Sequence, residues 1–292
     1  MKLAYLSLTF LLLFQGFHPA LAVEPQTEQA LFSSRTIQFS FTLTNTTNTL
    51  LPKAKFLTYA PIGNSNSHHQ LISLTCSHPY ETVHDDLGNR ILRFTFTNIP
   101  PFATKIITIK AELLLSHKPK STQNQGIQRF LRPEPFIESD HPEIIHLAEK
   151  LTKENQTETA DNIFRWVAQN IEYTGYASRP QGALYAARNR KGDCTEYTAL
   201  FVALCRAASI PARGIGGYIA AENTVLKPAD YHNWAEFYED GVWKLADPQK
   251  KVFRKNQADY IAMRIIGELT ESPMGKFSRF KAKGEGVKVV MN

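Results

Sequence analysis

The chain has 292 residues, a length that at roughly 100 to 200 residues per domain suggests two domains, each able to bury a core. Its formal net charge is +6, from 33 Lys and Arg against 27 Asp and Glu, and the basic residues are scattered along the chain. Because they form no single block, the composition gives no support to nucleic acid as a partner.

The first 22 residues have the pattern of a secretory signal. Lys2 supplies the positive start, residues 3–14 form an apolar run, and Ala20-Leu21-Ala22 has the small residues of a cleavage site. The run is shorter than the ~20 residues of a transmembrane helix, and no later run approaches that length. We therefore expect an exported protein, periplasmic or secreted, with no stable membrane insertion once the mature chain begins near Val23. An uncleaved anchor is the alternative.

Residues 23–118 predict an antiparallel β-sandwich of roughly immunoglobulin type. Apolar and polar residues alternate strictly over residues 36–44, which is the period of a strand with one buried face. Similar alternation recurs near residues 72–76, 92–96 and 107–113, and turn-forming clusters separate these runs.

The hydrophobic period changes after a polar stretch, and this change predicts a second domain at residues 141–292. The polar stretch suits an exposed linker, which we place at residues 119–140. Beyond it, apolar residues follow the helical spacing i, i+3, i+4, i+7 in two successive sets: Ile144, Leu147, Ala148 and Leu151, then Ala160, Ile163, Phe164 and Val167.

Cys194 is the candidate nucleophile. It follows Gly192-Asp193 and opens an Ala- and Leu-rich segment that Pro211 brings to an end, so the pattern places it in the first turn of a helix. Backbone amides and the helix dipole at that position favour a thiolate, predict a low thiol pKa and provide donors for an oxyanion. A merely buried thiol is the alternative, and it fits Cys205 better. A disulfide between Cys76 and Cys205 would leave Cys194 free, but the spacing does not establish one.

His232 and Asp247 are the candidate base and orienting carboxylate. Residues 231–239 and 242–248 form a predicted hairpin around Asp240-Gly241. In that register His232 and Asp247 are diagonal neighbours on one face, about 7 Å apart between backbones. A carboxylate in this position fixes the tautomer of an imidazole base. A structural role for His232, or a turn-closing role for Asp247 before Pro248, is the alternative.

Residues 162–249 resemble the transglutaminase-like superfamily. The resemblance rests on four elements in one order: Gly192-Asp193-Cys194, Ser209-Ile210-Pro211-Ala212-Arg213, His232-Asn233-Trp234-Ala235-Glu236, and Gly241-Val242-Trp243 leading to Asp247-Pro248. It implies a papain-like α+β core, with a central helix packed on an antiparallel sheet, that attacks an amide through a thioester. It also implies a catalytic triad of Cys194, His232 and Asp247.

Two features of the family pattern have no secure counterpart here. Asn233 replaces the small apolar residue that many relatives have after the histidine. The oxyanion donor upstream of the cysteine is not identifiable, and Tyr173 and Tyr176 are the candidates.

The sequence predicts no cofactor and no metal. Residues 214–220 are glycine-rich but lack the spacing of a nucleotide loop, and no calcium loop is present. His68 and His69 are adjacent instead of spaced for zinc, and we expect both in a surface turn.

We carry three functional hypotheses forward. The first is a peptidase or amidase acting on a peptide or protein amide with water as acceptor. The second uses the same nucleophile but transfers the acyl group to an amine and so crosslinks proteins. The third is a non-enzymatic envelope binding or scaffold protein. The oligomeric state does not follow from the sequence.

Overall fold

The computed structural model describes residues 32–63, 68–121, 126–267, 271–277 and 279–292. The predicted signal at residues 1–22 lies outside the described residues and stays a prediction. Within the described part of the chain, no helix combines the length and apolar composition that crossing a membrane requires. The fold is α+β, as predicted, with the helices gathered beside antiparallel sheets.

The N-terminal part is a β-sandwich. Its strands are β1 (Phe32–Asn45), β2 (Leu51–Ala60), β3 (His69–Cys76), β4 (Glu81–His84), β5 (Arg90–Ile99) and β6 (Thr104–Ser116). One sheet runs in the order β1-β6-β3 and the facing sheet in the order β2-β5-β4. Aromatic rings close the space between the sheets, where Phe41 of β1 lies 4.8 Å from Phe56 of β2 between ring centroids. The strands that alternation predicts are present, and β2 and β4 are additions to them.

The following segment builds the α+β core. Its elements are α1 (Pro142–Leu151), α2 (Gln156–Asn170), β7 (Glu172–Tyr173), α3 (Ala183–Asn189), β8 (Lys191–Gly192), α4 (Cys194–Ala207), β9 (Ala212–Ile219), β10 (Thr224–Val225), β11 (Tyr231–Glu239), β12 (Val242–Asp247), β13 (Val252–Phe253) and β14 (Tyr260–Ile266). Five strands form a sheet in the order β13-β12-β11-β9-β14. The helices predicted from i, i+3, i+4, i+7 spacing correspond to α1 and α2.

Helix α4 is the centre of this core. Its residues from 196 to 206 are all buried, which agrees with the Ala- and Leu-rich composition of this segment. Ala235 and Phe237 of β11 belong to the same apolar cluster as α4. The helix therefore packs on the odd-numbered face of β11.

The last two strands return to the sandwich. β15 (Phe280–Lys283) pairs with β2, and β16 (Val287–Met291) pairs with β1. β10, from a loop of the core, adds a short parallel pairing to β1. The predicted boundary assigns all three strands to the second domain, whereas their hydrogen bonds join them to the first. The alternation of apolar and polar residues in a short strand indicates that one of its faces is buried, but it does not indicate which sheet the strand joins.

The expectation that His68 and His69 lie in a surface turn is wrong. Their exposed fractions are 1% and 5%. His68 Nε2 lies 3.7 Å from Glu236 Oε1, and His69 Nε2 accepts a hydrogen bond from the Ala262 amide at 3.1 Å. Burial lowers the pKa of His69 to about 3, so the ring is neutral. The two histidines lie at the start of β3 and face the core sheet. Polar partners on that sheet reduce the free-energy cost of burying them.

All three cysteines are free. Cys205 is fully buried in the cluster around α4, as expected, while Cys76 packs against the sandwich core. The disulfide that the sequence left open between them does not form.

Because β16 pairs with the sandwich, its two faces should contribute unequally to the free energy of unfolding. Met291 is buried in the sandwich core, whereas its neighbour Val290 is 47% exposed. Met291→Ala should lower the free energy of unfolding by about 2–3 kcal/mol, because it leaves a cavity. Val290→Ala, the matched control on the opposite face, should change it by less than about 0.5 kcal/mol. Urea denaturation measures both values, and equal small losses would mean that β16 does not close the core.

Candidate active site

Helix α4 begins at Cys194 because Asp193 and Glu196 form a capping box. Asp193 Oδ1 accepts from the Thr195 amide at 2.7 Å, and Glu196 Oε2 accepts from the Asp193 amide at 3.0 Å. Gly192 is required next to this box, since a Cβ there would lie 2.3 Å from the Cβ of Glu196. The cysteine is thus held as the first helical residue, as the sequence predicts.

The same two acidic residues also hold the loop that precedes the helix. Asp193 Oδ2 accepts from the Ala177 amide, and Glu196 Oε1 accepts from the Gln181 amide, both at 2.8 Å. Both carboxylates are buried, at 3% and 1% exposure. The loop therefore has a fixed position beside Cys194.

His232 and Asp247 meet through the hairpin of β11 and β12. The strands pair in the predicted register, with Ala235 opposite Ala246. His232 Nε2 lies 2.7 Å from Asp247 Oδ2, a hydrogen-bond distance. Because a carboxylate can only accept, Nε2 carries the proton, and Nδ1 keeps a lone pair for a second proton.

Asp247 is fixed by two further donors that the sequence did not reveal. Tyr260 of β14 donates its hydroxyl to Asp247 Oδ2 at 2.9 Å, and the Lys250 amide donates to Oδ1 at 3.1 Å. Burial and the nearby Asp247 charge raise the pKa of Tyr260, so the phenol stays protonated and remains a donor. In the sequence, nothing separates Tyr260 from an ordinary core aromatic residue.

The prediction that the helix start lowers the pKa of Cys194 is not met. Burial raises the pKa of this thiol to about 11, and Asp193 and Asp247 add to the rise. A hydrogen bond from the Asn233 amide to the sulfur acts in the opposite direction but is smaller. Desolvation of a charged sulfur outweighs the helix amides here because the capping box occupies most of them.

Cys194 and His232 line the same cleft of about 960 Å³. No hydrogen bond joins the two side chains among the described residues, and the Asn233 amide is the group that meets the sulfur. This follows from the packing of α4 on the odd-numbered face of β11, which places the thiol beside the main chain at residue 233 while His232 points to the other face. The cysteine and the histidine therefore share the cleft at the start of β11 and not a sheet face.

Asn233 has a structural explanation. Its side-chain Nδ2 donates to the hydroxyl of Thr195 at 3.1 Å. Thr195 follows the candidate nucleophile directly, so the asparagine ties β11 to the first turn of α4.

Tyr173 and Tyr176, the candidate oxyanion donors, both line the cleft as well, with exposed fractions of 53% and 83%.

Within the residues that the structure describes, no three His, Cys, Asp or Glu side chains form a group able to hold a metal ion. The glycine-rich residues 214–217 lie within β9, where they are paired with β11 and β14.

Known proteins resemble this chain at two levels, in the sequence of the α+β core and in the fold of nearly the whole chain. A family model described as the transglutaminase-like superfamily matches residues 145–248. No curated protein sequence matches the chain. A solved structure from Cytophaga hutchinsonii, with the provisional name of cysteine protease, is 21% identical, covers 90% of this chain and 91% of its own, and has a TM-score of 0.60. The periplasmic domain of TgpA from Pseudomonas aeruginosa is 18% identical over 73% of this chain and 88% of that domain, with a TM-score of 0.40. The first likeness shows that nearly the whole fold is shared.

The raised thiol pKa leads to a prediction about alkylation by iodoacetamide. Without proton transfer to His232, a thiol pKa of about 11 leaves about one thiol in ten thousand ionised at pH 7, and His232→Ala removes that transfer. The alkylation rate of this variant at Cys194 should therefore rise about tenfold per pH unit from pH 7 to pH 10. In the wild-type protein, proton transfer to His232 should keep the rate high and nearly flat over the same range.

The measurement is the rate of labelling at Cys194, followed by peptide mass spectrometry. Cys194→Ala gives the background from Cys76 and Cys205. Parallel, slow pH profiles in wild type and His232→Ala would remove His232 as the base and favour the scaffold hypothesis.

Proposed function

We propose that this chain, whose residues 145–248 belong to the transglutaminase-like superfamily, is a cysteine enzyme that hydrolyses a peptide or protein amide. The observation that supports this most is the 2.7 Å contact between His232 and Asp247 beside a cleft that also contains a helix-start cysteine. A nucleophile, a base and a group that orients the base are the parts that nucleophilic acyl transfer requires.

In the proposed reaction, His232 Nδ1 takes the proton of the Cys194 thiol as the sulfur attacks the amide carbonyl carbon. The S–C bond forms, and the carbonyl oxygen becomes an oxyanion. Breakdown of this intermediate cleaves the C–N bond, and His232 returns the proton to the leaving amine. Water, deprotonated by the same ring, then cleaves the thioester and releases a carboxylic acid.

The backbone amide of Cys194 is the proposed oxyanion donor. The capping box uses the amides of Thr195 and Glu196, and the Tyr197 amide donates to the Asp193 carbonyl oxygen. In the first turn of α4 this leaves the amide of Cys194 itself for the substrate. Tyr173 and Tyr176 are the candidates for a second donor.

Asp247 holds the imidazole in the tautomer that the reaction needs. Its other contacts, from Tyr260 and the Lys250 amide, prevent the carboxylate from turning away. Because the thiol is buried and its pKa is raised, an imidazolium stabilised by Asp247 is the counter-charge that makes a thiolate accessible near neutral pH.

Amide cleavage should depend on Cys194 and yield carboxylic acids. A peptide library incubated with the protein should give cleavage products that Cys194→Ala abolishes and that Cys76→Ala, a control cysteine outside the cleft, leaves in place. Added primary amine should divert only a minor part of the product, because water is far more abundant than the amine. Products carrying mainly the added amine would assign the protein as an amine acyltransferase, and products independent of Cys194 would exclude the proposal.

We also propose that the protein is exported by residues 1–22. The support is the charged start, the apolar run and the small residues at 20–22. Expression of the full chain with its leader should give a mature protein that begins near Val23, determined by N-terminal sequencing of the exported fraction. An intact Met1 in a membrane-bound product would indicate an uncleaved anchor.

A further inference from the structure

We infer that Arg264 and Arg279, with Lys276 at the rim, form an anion subsite in the cleft and select substrates that carry a carboxylate near the amide attacked. This inference rests on the proposed function and adds a substrate class to it. All three cations line the same cleft as Cys194 and His232.

A bulge in β14 directs Arg264 toward the cleft. Ala262 pairs with Gly217 of β9, but Arg264 pairs with Gly216, so Met263 is an extra residue on this strand. Met263 is buried in the sandwich cluster. Arg264 thus shares a sheet face with Gly216, the face where a Cβ on that glycine would meet the Tyr231 hydroxyl and Asn233 Oδ1.

The guanidinium of Arg264 has unused hydrogen-bonding capacity. Among the residues that the structure describes, its Nε is buried without a hydrogen-bond partner, and its Nη1 donates to the Phe277 carbonyl oxygen, at 3.4 Å. The guanidinium also lies over the ring of Tyr59, 5.7 Å from the ring centroid. Arg264 as a residue is half-buried. Leaving its buried Nε–H unpaired has a free-energy cost, and a bound carboxylate would remove that cost.

Two buried arginines elsewhere in the fold are paired with glutamates, whereas Arg264 is half-buried. Arg213 makes two hydrogen bonds to Glu236, and Arg206 lies 2.8 Å from Glu134. Among the described residues, Arg264 has no carboxylate within ion-pair distance. We therefore expect a carboxylate ligand to serve as the partner of Arg264, as Glu236 does for Arg213.

Arg279 lies close to the same part of the cleft. Its Nη1 donates to the Pro228 carbonyl oxygen at 2.8 Å, and its guanidinium is 5.5 Å from the ring centroid of Tyr231. Burial raises the pKa of Tyr231, while the charges of Arg264 and Arg279 act against that rise and Cys194 adds to it. One phenol is thus within electrostatic range of both arginines and the candidate nucleophile.

The acidic residues of the cleft do not neutralise these cations. Glu134 is paired with Arg206, and Asp193 accepts from backbone amides at the start of α4. Asp230 also lines the cleft but makes no ion pair with either arginine among the described residues. An anionic ligand is therefore the complement of this wall, and salt should weaken its binding.

The experiment compares two alkylating reagents on the full chain. Iodoacetate and iodoacetamide form the same S–C bond to Cys194 with loss of iodide, and they differ in charge. Because an imidazolium at His232 also favours an anion, the informative quantity is how the ratio of their rates changes between variants. This ratio should fall about tenfold in Arg264→Gln, fall by a smaller factor in Arg279→Gln, and stay near the wild-type value in Arg264→Lys.

Arg165→Gln is the matched control, since Arg165 lies on α2, pairs with Asp161 and does not line the cleft. A ratio in Arg264→Gln equal to that in Arg165→Gln would overturn the subsite. If Arg264→Gln does not fold, as judged by circular dichroism, Arg279→Gln and Lys276→Gln decide the matter. The ratio of the iodoacetate rate to the iodoacetamide rate can be measured whether labelling is fast or slow. If labelling of the wild-type protein is slow but the ratio still falls in Arg264→Gln, the proposed enzyme is rejected and the subsite is supported.

The source of the carboxylate is resolved by paired peptides from the same library. Faster cleavage of Glu than of Gln peptides assigns a side-chain carboxylate, and faster cleavage of free acids than of C-terminal amides assigns a chain terminus. Either preference should be lost in Arg264→Gln and kept in Arg165→Gln. Cleavage that ignores both differences in the wild-type protein would reject the substrate class while leaving amide hydrolysis intact.

Discussion

The register of β11 against β12 is the constraint on which the candidate site depends. Side chains alternate between the two faces of a strand, so a slip of one residue would move Asp247 to the opposite face from His232. The two-residue turn at Asp240-Gly241 sets the register, and both of its residues have positive φ, at 53° and 80°. Tyr260 and the Lys250 amide then hold the carboxylate in the position that this register provides.

Burial has opposite effects on the members of the site. It keeps Tyr260 protonated and so preserves a donor to Asp247, but it also opposes ionisation of Cys194. The helix start alone does not overcome that opposition, since its amides are largely occupied by Asp193. In the proposed mechanism, reactivity of the thiol is therefore a property of the whole assembly in the cleft, in which the charge on sulfur forms together with a charge on the imidazole ring.

Local patterns in the sequence predicted those parts of the structure that neighbouring residues determine. The helix start at Cys194, the hairpin turn at Asp240-Gly241 and the helical spacing of α1 and α2 are signals of this kind. What escaped prediction depends on contacts between distant segments: the burial of His68 beside Glu236, the hydroxyl of Tyr260 on Asp247, and the face of β11 on which α4 packs. The thiol pKa also belongs here, because burial of Cys194 is set by the loop and the sheet around it.

The return of β15 and β16 to the first two strands has a consequence for how the chain is assembled. The sandwich is discontinuous in sequence, and the α+β core is an insertion between its sixth strand and its last two. During synthesis, β1 and β2 must wait for roughly 220 to 240 intervening residues before their final neighbours β16 and β15 exist, so these pairings are contacts of high sequence separation. Truncation of the chain at any single point between the two parts would therefore leave the sandwich without its last two strands. We accordingly regard the protein as one cooperative folding unit and not as two independent domains.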